Sequence, residues 1–135
     1  MKDPKNEDVL TELMKREPIF HRPEFGTSRA DFEKMTDADF WEVGASGRIY
    51  SRELALEVAP KRYEDPQYRG IGSQEEAPWR TSDFTCREIA PDNYLLTYLL
   101  DEGDRVTRRM TLWRRSGYDW KILFHQGTVV QDASK

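Results

Sequence analysis

Between Arg105 and Val130 the chain reads RVTRRMTLWRRSGYDWKILFHQGTVV, two β-rich runs on either side of Ser116-Gly117. No other stretch limits the fold as strongly. A two-residue connection of this kind closes a hairpin, and the register of a hairpin decides which side chains share a face. Pairing Arg115 with Tyr118 sets Trp113 opposite Trp120, Thr111 opposite Ile122, Arg109 opposite Phe124 and Thr107 opposite Gln126. The alternate face pairs Arg114 with Asp119, Leu112 with Lys121, Met110 with Leu123 and Arg108 with His125. The first face is aromatic and hydrogen-bonding; the second is mostly aliphatic with charged ends.

Two more strands precede this ribbon. Trp79 to Ile89 is one, turning at Pro91-Asp92-Asn93; Tyr94 to Leu100 is the next, closed by Asp101-Glu102-Gly103-Asp104. The four runs form an antiparallel meander. Carrying the pairing back across the Asp101–Asp104 turn puts Tyr98 beside Thr107 and Leu96 beside Arg109, with Leu95 and Leu99 on the aliphatic face. Both faces then carry apolar area, more than a few helices cover, so a homodimer is expected to supply the rest.

The N-terminal half reads as helices. Asp3-Pro4 is a helix start, and Val9, Leu10, Leu13 and Met14 form an apolar stripe that ends near Arg16, ahead of Pro18. His21 to Gly26 is a polar turn. Ser28 with Asp31 approximates a capping box for a short helix burying Phe32 and Met35. Thr36 to Asp39 breaks that pattern, and Phe40 to Val43 is a short strand followed by a turn at Gly44 and Ser46-Gly47. Ser51 caps a further amphipathic helix through Leu54, Ala55, Val58 and Ala59, which Pro60 should end. From Pro60 to Pro78 nothing is periodic; Tyr63 and Tyr68 would make this segment either a flap over a pocket or a flexible insert. Helices segregated from an antiparallel sheet define an α+β fold, here one domain over residues 1–135.

Charge and cysteine use narrow the function. A net charge of −4 argues against a nucleic-acid or anionic-membrane partner. No stretch approaches the roughly 20 apolar residues of a membrane span, and the charged N-terminus is unlike a secretory signal. The single cysteine, Cys86, cannot form an intramolecular disulfide and suits the cytoplasm. It is read as a small buried hydrophobe rather than a nucleophile. With two histidines and no Cys/His spacing, no metal site is expected, and no phosphate loop or nucleophile elbow points to a cofactor or a hydrolase.

Three segments carry a resemblance: Asp39 to Gly47 (DFWEVGASG) before the Ser51-capped helix, Arg109 to Trp113 (RMTLW), and Trp120 to Thr128 (WKILFHQGT). In this order the chain resembles the nuclear transport factor 2-like superfamily, and within it the SnoaL-like proteins grouped as domain of unknown function 4440. The resemblance implies a cone, a strongly curved sheet wrapped around helices with a pocket at the open end. The superfamily includes ketosteroid isomerases, polyketide cyclases, dehydratases and non-enzymatic binding or assembly modules, so the fold alone names no reaction.

The candidate residues follow. Glu42 lies near the place where the isomerases carry their base; a partly buried carboxylate there could move a proton beside a carbonyl, or could simply hold the Gly44–Gly47 turn. Arg109, mid-strand on the aromatic face, could grip a carboxylate or phosphate, or pair with an internal acid such as Glu42 or Asp83. Tyr94 or Tyr98 could donate a hydrogen bond, although no protonated carboxylate is evident to complete an enolate-stabilising pair. His125, placed on the aliphatic face, reads as a structural histidine more readily than as a base. Trp41, Trp113 and Trp120 form an aromatic wall for an apolar ligand or fill the core. The expected function is binding of a small apolar or carboxylate-bearing molecule in a pocket bounded by Trp41, Glu42, Tyr98, Arg109 and Trp113, with His125 as a further contact. The alternatives are an isomerase- or cyclase-type enzyme with Glu42 as base, and a protein-interaction module whose pocket is vestigial.

Overall fold

A computed structural model describes residues 4–64 and 79–131. Its elements in chain order are α1 (Pro4–Met14), a single 3-10 turn (Pro23–Phe25), α2 (Arg29–Met35), β1 (Thr36–Val43), β2 (Ile49–Ser51), α3 (Arg52–Glu64), β3 (Arg80–Ala90), β4 (Asn93–Asp101), β5 (Val106–Ser116) and β6 (Asp119–Val129). The six strands make one sheet in the order β2-β1-β6-β5-β4-β3. All neighbours are antiparallel except β1 and β6, which run parallel. The architecture is α+β, as the segregated pattern of helices and strands implies. Among the described residues no helix is long and apolar enough to cross a membrane.

Local chemistry explains the helix starts. Ser28 and Asp31 complete a capping box on α2: the Asp31 N–H donates to Ser28 Oγ at 3.1 Å, and the Ser28 N–H donates to the Asp31 carboxylate at 3.2 Å. Ser51 accepts from the Leu54 N–H at 3.1 Å to open α3. The proposed N-cap of α1, Asp3, lies outside the described residues.

One face of the sheet wraps the helices. Val9 and Leu13 of α1, Phe32 of α2 and Ala55, Leu56 and Ala59 of α3 are buried against Tyr94, Leu96, Tyr98, Trp113, Trp120 and Ile122 of the strands. Phe20 makes edge-on contacts with Phe32 and Phe40 at 5.0 and 6.0 Å between ring centres.

Four expectations need correction. Pro60 does not end α3, which runs on to Glu64. The missing N–H is tolerated because the next turn is anchored elsewhere: the Tyr63 hydroxyl donates to the Phe20 carbonyl at 2.6 Å. Strand β1 begins at Thr36, not Phe40, because the Thr36 hydroxyl caps the Phe32 carbonyl at 2.8 Å and the chain extends at once. The proposed flap is partly helix, carrying Tyr63, while Tyr68 lies outside the described residues.

The fourth correction moves residues between faces. The hairpin loop is Gly117-Tyr118, closed by Ser116 and Asp119, with Gly117 at φ +65°; a glycine first in such a turn needs that conformation. The register runs Arg115 to Trp120 and Trp113 to Ile122, then slips, so that Leu112 meets Phe124 and Thr111 meets His125. Leu123 is the extra residue of a β-bulge. One extra residue turns every later side chain of β6 over, bringing His125 and Gly127 inside with Arg109 and sending Phe124 outside. On the preceding pair the shift is even: Tyr98 meets Arg109 and Leu96 meets Thr111, so the faces expected there persist.

Candidate functional site

The cone holds two polar centres, one closed and one open. The closed one is Glu17, just after α1 and absent from the sequence-based candidates. It is fully buried. The Tyr98 hydroxyl donates to its Oε1 at 2.6 Å, and the Trp113 indole N–H donates to Oε2 at 3.0 Å. Burial pushes the carboxyl above its usual range, against the pull of these donors and of the Arg109 charge. Tyr98 is itself pushed well up, first by burial and then by the neighbouring Glu17 charge. Phe84 stacks on its ring at 4.8 Å. Tyr98 and Trp113 thus serve Glu17, and the cavity is lined by other side chains.

The open centre is a cavity of about 450 Å³ between the sheet, α3 and the segment after α1. Its charged and titratable lining is His21, Glu42, Arg62, Glu102, Arg105, Arg109 and His125, with Ile19, Phe20, Tyr50 and Val58 among the less polar walls. The strands set the geometry. Glu42 of β1 lies beside His125 of β6, Thr111 of β5 lies beside His125 from the other side, and Arg109 sits opposite Gly127. The glycine matters: a Cβ at position 127 would stand 3.2 Å from Arg109 Nε. Its absence leaves room for the guanidinium.

Electrostatics follow from enclosure. Burial raises the Glu42 carboxyl, with the Arg62 and Arg109 charges pulling it back. Burial lowers both imidazoles, His21 to about 3 and His125 well below its ordinary value, and Arg109 adds to both shifts. Both histidines are therefore neutral at physiological pH. His125 is 3% exposed, its Nδ1 lies 2.8 Å from Thr111 Oγ1, and its Nε2 is buried with no hydrogen-bond partner among the described residues. Arg109 Nε is buried in the same condition. Natural interiors rarely leave such groups unsatisfied.

Of the residues singled out from sequence, the structure brings Glu42, Arg109 and His125 together. Trp41 is elsewhere: it is 45% exposed on the outer face and packs on Phe124 at 4.5 Å. Asp83, a candidate partner for Arg109, is exposed at the β3 irregularity with φ +57°. Arg62 and His21 were missed because one lies past the proline expected to stop its helix and the other in a turn read as solvated. Among the described residues no group of His, Cys, Asp or Glu is placed to share a metal ion.

Solved structures with this shape are numerous. An NTF2-like protein from Cytophaga hutchinsonii matches at a TM-score of 0.64 and 15% identity, over 96% of this chain and 100% of the other. The fold is that of the NTF2-like proteins. A protein of unknown function from the DUF3225 family of Pectobacterium atrosepticum matches at 0.68 and 13%, over 96% and 94%. An uncharacterized cystatin-like-fold protein from Caulobacter vibrioides matches at 0.64 and 13%, over 96% and 93%. At these identities the likeness is one of fold. No family model matches the chain, and no curated protein matches it.

Proposed function

We propose that this NTF2-like chain binds a small molecule in the cone, and that the ligand carries a carboxylate. The observation that carries the reading is the pair of unsatisfied, buried nitrogens, Arg109 Nε and His125 Nε2, on one cavity of about 450 Å³. A carboxylate is the acceptor that suits an arginine fork. The motif strings DFWEVGASG and WKILFHQGT support a finer placement among the SnoaL-like proteins of domain of unknown function 4440. The test is a thermal-shift screen of carboxylates, steroids and polyketide-like rings. A true ligand at 100 times its Kd raises stability by about 2.7 kcal/mol. A screen in which no carboxylate stabilises the protein counts against the reading.

A second reading, proton transfer at a carbonyl compound with Glu42 as base, is favoured by one feature. Burial raises the Glu42 carboxyl, and the group faces the cavity. If it is correct, Glu42→Gln lowers turnover of any substrate found by the screen at least about 100-fold. An unchanged rate removes it.

The chain is also proposed to form a homodimer through the outer face of the sheet. There Trp41, Phe124, Leu112 and Leu95 lie side by side across β1, β6, β5 and β4, an apolar row that the helices leave uncovered. Sedimentation equilibrium should report a dimer that Phe124→Lys converts to monomer. If another protein covers the row, as in an interaction module, the isolated chain is monomeric in both forms.

A further inference from the structure

An acid and a base face the cavity without meeting each other. Glu42 stands on β1 and Arg109 on β5, the two strands that flank β6. Two strand spacings put their backbones about 10 Å apart. Glu42 pairs with His125 and Arg109 with Gly127, so the two are also staggered by one two-residue step. The guanidinium reaches over β6: its Nη2 lies 3.6 Å from where a Cβ on Gly127 would stand. Among the described residues neither Glu42 nor Arg109 belongs to an ion pair, and Arg109 Nε is buried without an acceptor. The other acid on this wall, Glu102, is already taken by Arg105 Nε at 3.0 Å. Enclosed charge without a partner is costly. Two opposite charges held too far apart to satisfy each other are satisfied together by a molecule that carries both complements.

We propose that the cavity takes an amino acid with an apolar side chain, its carboxylate on Arg109, its ammonium on Glu42 and its side chain against α3 and Phe20. The proposal rests on the reading of the cavity as a carboxylate site and adds the second charge and the substituent. The wall facing the sheet suits that substituent: Ile19 and Phe20 come from the segment after α1, and Ala55, Val58 and Ala59 from α3. Ala55 and Ala59 are one helical turn apart, and their small side chains leave the volume that a ligand side chain fills. Other charged or titratable groups face the same space: His21 from the segment after α1, Arg62 from α3, Glu102 and Arg105 from the β4–β5 connection, and His125 from β6. The Arg62 and Arg109 charges favour the ionised form of Glu42 and burial opposes it; an ammonium beside the carboxylate favours ionisation further.

The test titrates the full-length protein by calorimetry at pH 7 with two matched pairs, L-phenylalanine against 3-phenylpropionate and L-leucine against 4-methylpentanoate. The members of each pair differ by one ammonium group. In at least one pair the amino acid should bind roughly tenfold more tightly or better, the worth of one hydrogen bond to a charged group at the lower end of its range. Glu42→Gln should erase that difference; a difference that survives the substitution overturns Glu42 as the partner of the ammonium. Should the variant fail to fold, a carbon-detected NMR titration of the wild-type Glu42 carboxyl decides. Its midpoint should fall when the amino acid is bound and should not fall with the deaminated acid; a midpoint that the amino acid leaves in place or raises overturns the contact. Equal binding within both pairs, or tighter binding of the deaminated acids, overturns the amino-acid ligand and leaves the carboxylate reading standing. If none of the four compounds binds, the carboxylate reading fails and the amino acid fails with it.

Discussion

Glu17 and Glu42 are two carboxylates inside one cone, both pushed above their usual range by burial, and they differ in what surrounds the oxygens. Glu17 has two donors aimed at it, Tyr98 from β4 and Trp113 from β5, and does not line the cavity. Glu42 lies on the cavity wall with arginines in its field. The first ties the end of α1 to the sheet. The second is held where a ligand can reach it. A raised carboxyl therefore does not by itself mark a site; an open cavity and unfilled neighbouring hydrogen bonds do.

The largest expected effect breaks this comparison at the closed end. Glu17→Ala strands the Tyr98 hydroxyl and the Trp113 indole N–H in the core and leaves a void. It should cost about 3 kcal/mol or more in urea unfolding. Glu42→Gln keeps shape and removes a disfavoured buried charge, so its cost should stay within about 1 kcal/mol. Equal losses would mean that Glu42 is as structural as Glu17.

A smaller effect sharpens the open end. Gly127→Ala places a Cβ 3.2 Å from Arg109 Nε and pushes the guanidinium aside. The cost in stability should be about 1 kcal/mol, while affinity for a carboxylate ligand falls roughly tenfold by calorimetry, in line with one displaced charge-assisted bond. Unchanged affinity would show that Arg109 does not hold the carboxylate.

The smallest effect is read in pH. His21 titrates at about 3 in the folded chain against an ordinary 6.5, so between these values the unfolded chain binds more protons. Stability from this group is fully present above pH 6.5 and declines on acidification toward pH 3. The buried His125, lowered by the same cause, adds to the decline. Glu17 and Glu42 act in the opposite sense: their folded values lie above the unfolded ones, so the native state takes up protons first as pH falls, which favours folding. Urea midpoints between pH 6.5 and 4.5 should therefore fall gently in the wild type. His21→Asn should reduce the slope by at most about 1.4 kcal/mol per pH unit. A slope unaffected by the substitution would place His21 in water rather than in the cavity wall.

Much of the scaffold was legible because its signals are local. The Ser28–Asp31 box, the Ser51 cap and the alternation of β4 and β5 each act within a few residues, and each appears where the pattern puts it, while the hairpin turn sits one residue later than expected. The candidate site was legible in part. Arg109 follows from strand alternation, which is regular where it stands. Glu42 is singled out instead by the family resemblance, and alternation along β1 puts its neighbour Trp41 on the opposite face. The place of His125 does not follow from alternation, because one bulged residue, Leu123, reverses the face of everything after it, and a bulge answers to strand curvature and packing rather than to the residues at the bulge. Glu17 carries no local signal at all, being a glutamate before a proline in a polar stretch. Only folding brings Tyr98 and Trp113, some 80 or more residues away, onto its oxygens.

By itself, then, the sequence determined an α+β chain with an antiparallel meander from β3 to β6, because hydrophobic periodicity and turn chemistry are short-range properties of the backbone. The tertiary structure alone decided which polar groups end up enclosed together. It put His125 inside and Trp41 outside, and it kept α3 running past Pro60 so that Arg62 reaches the cavity. Those outcomes depend on burial and on hydrogen bonds between distant segments, and a buried polar group finds its partner only when the whole core closes around it.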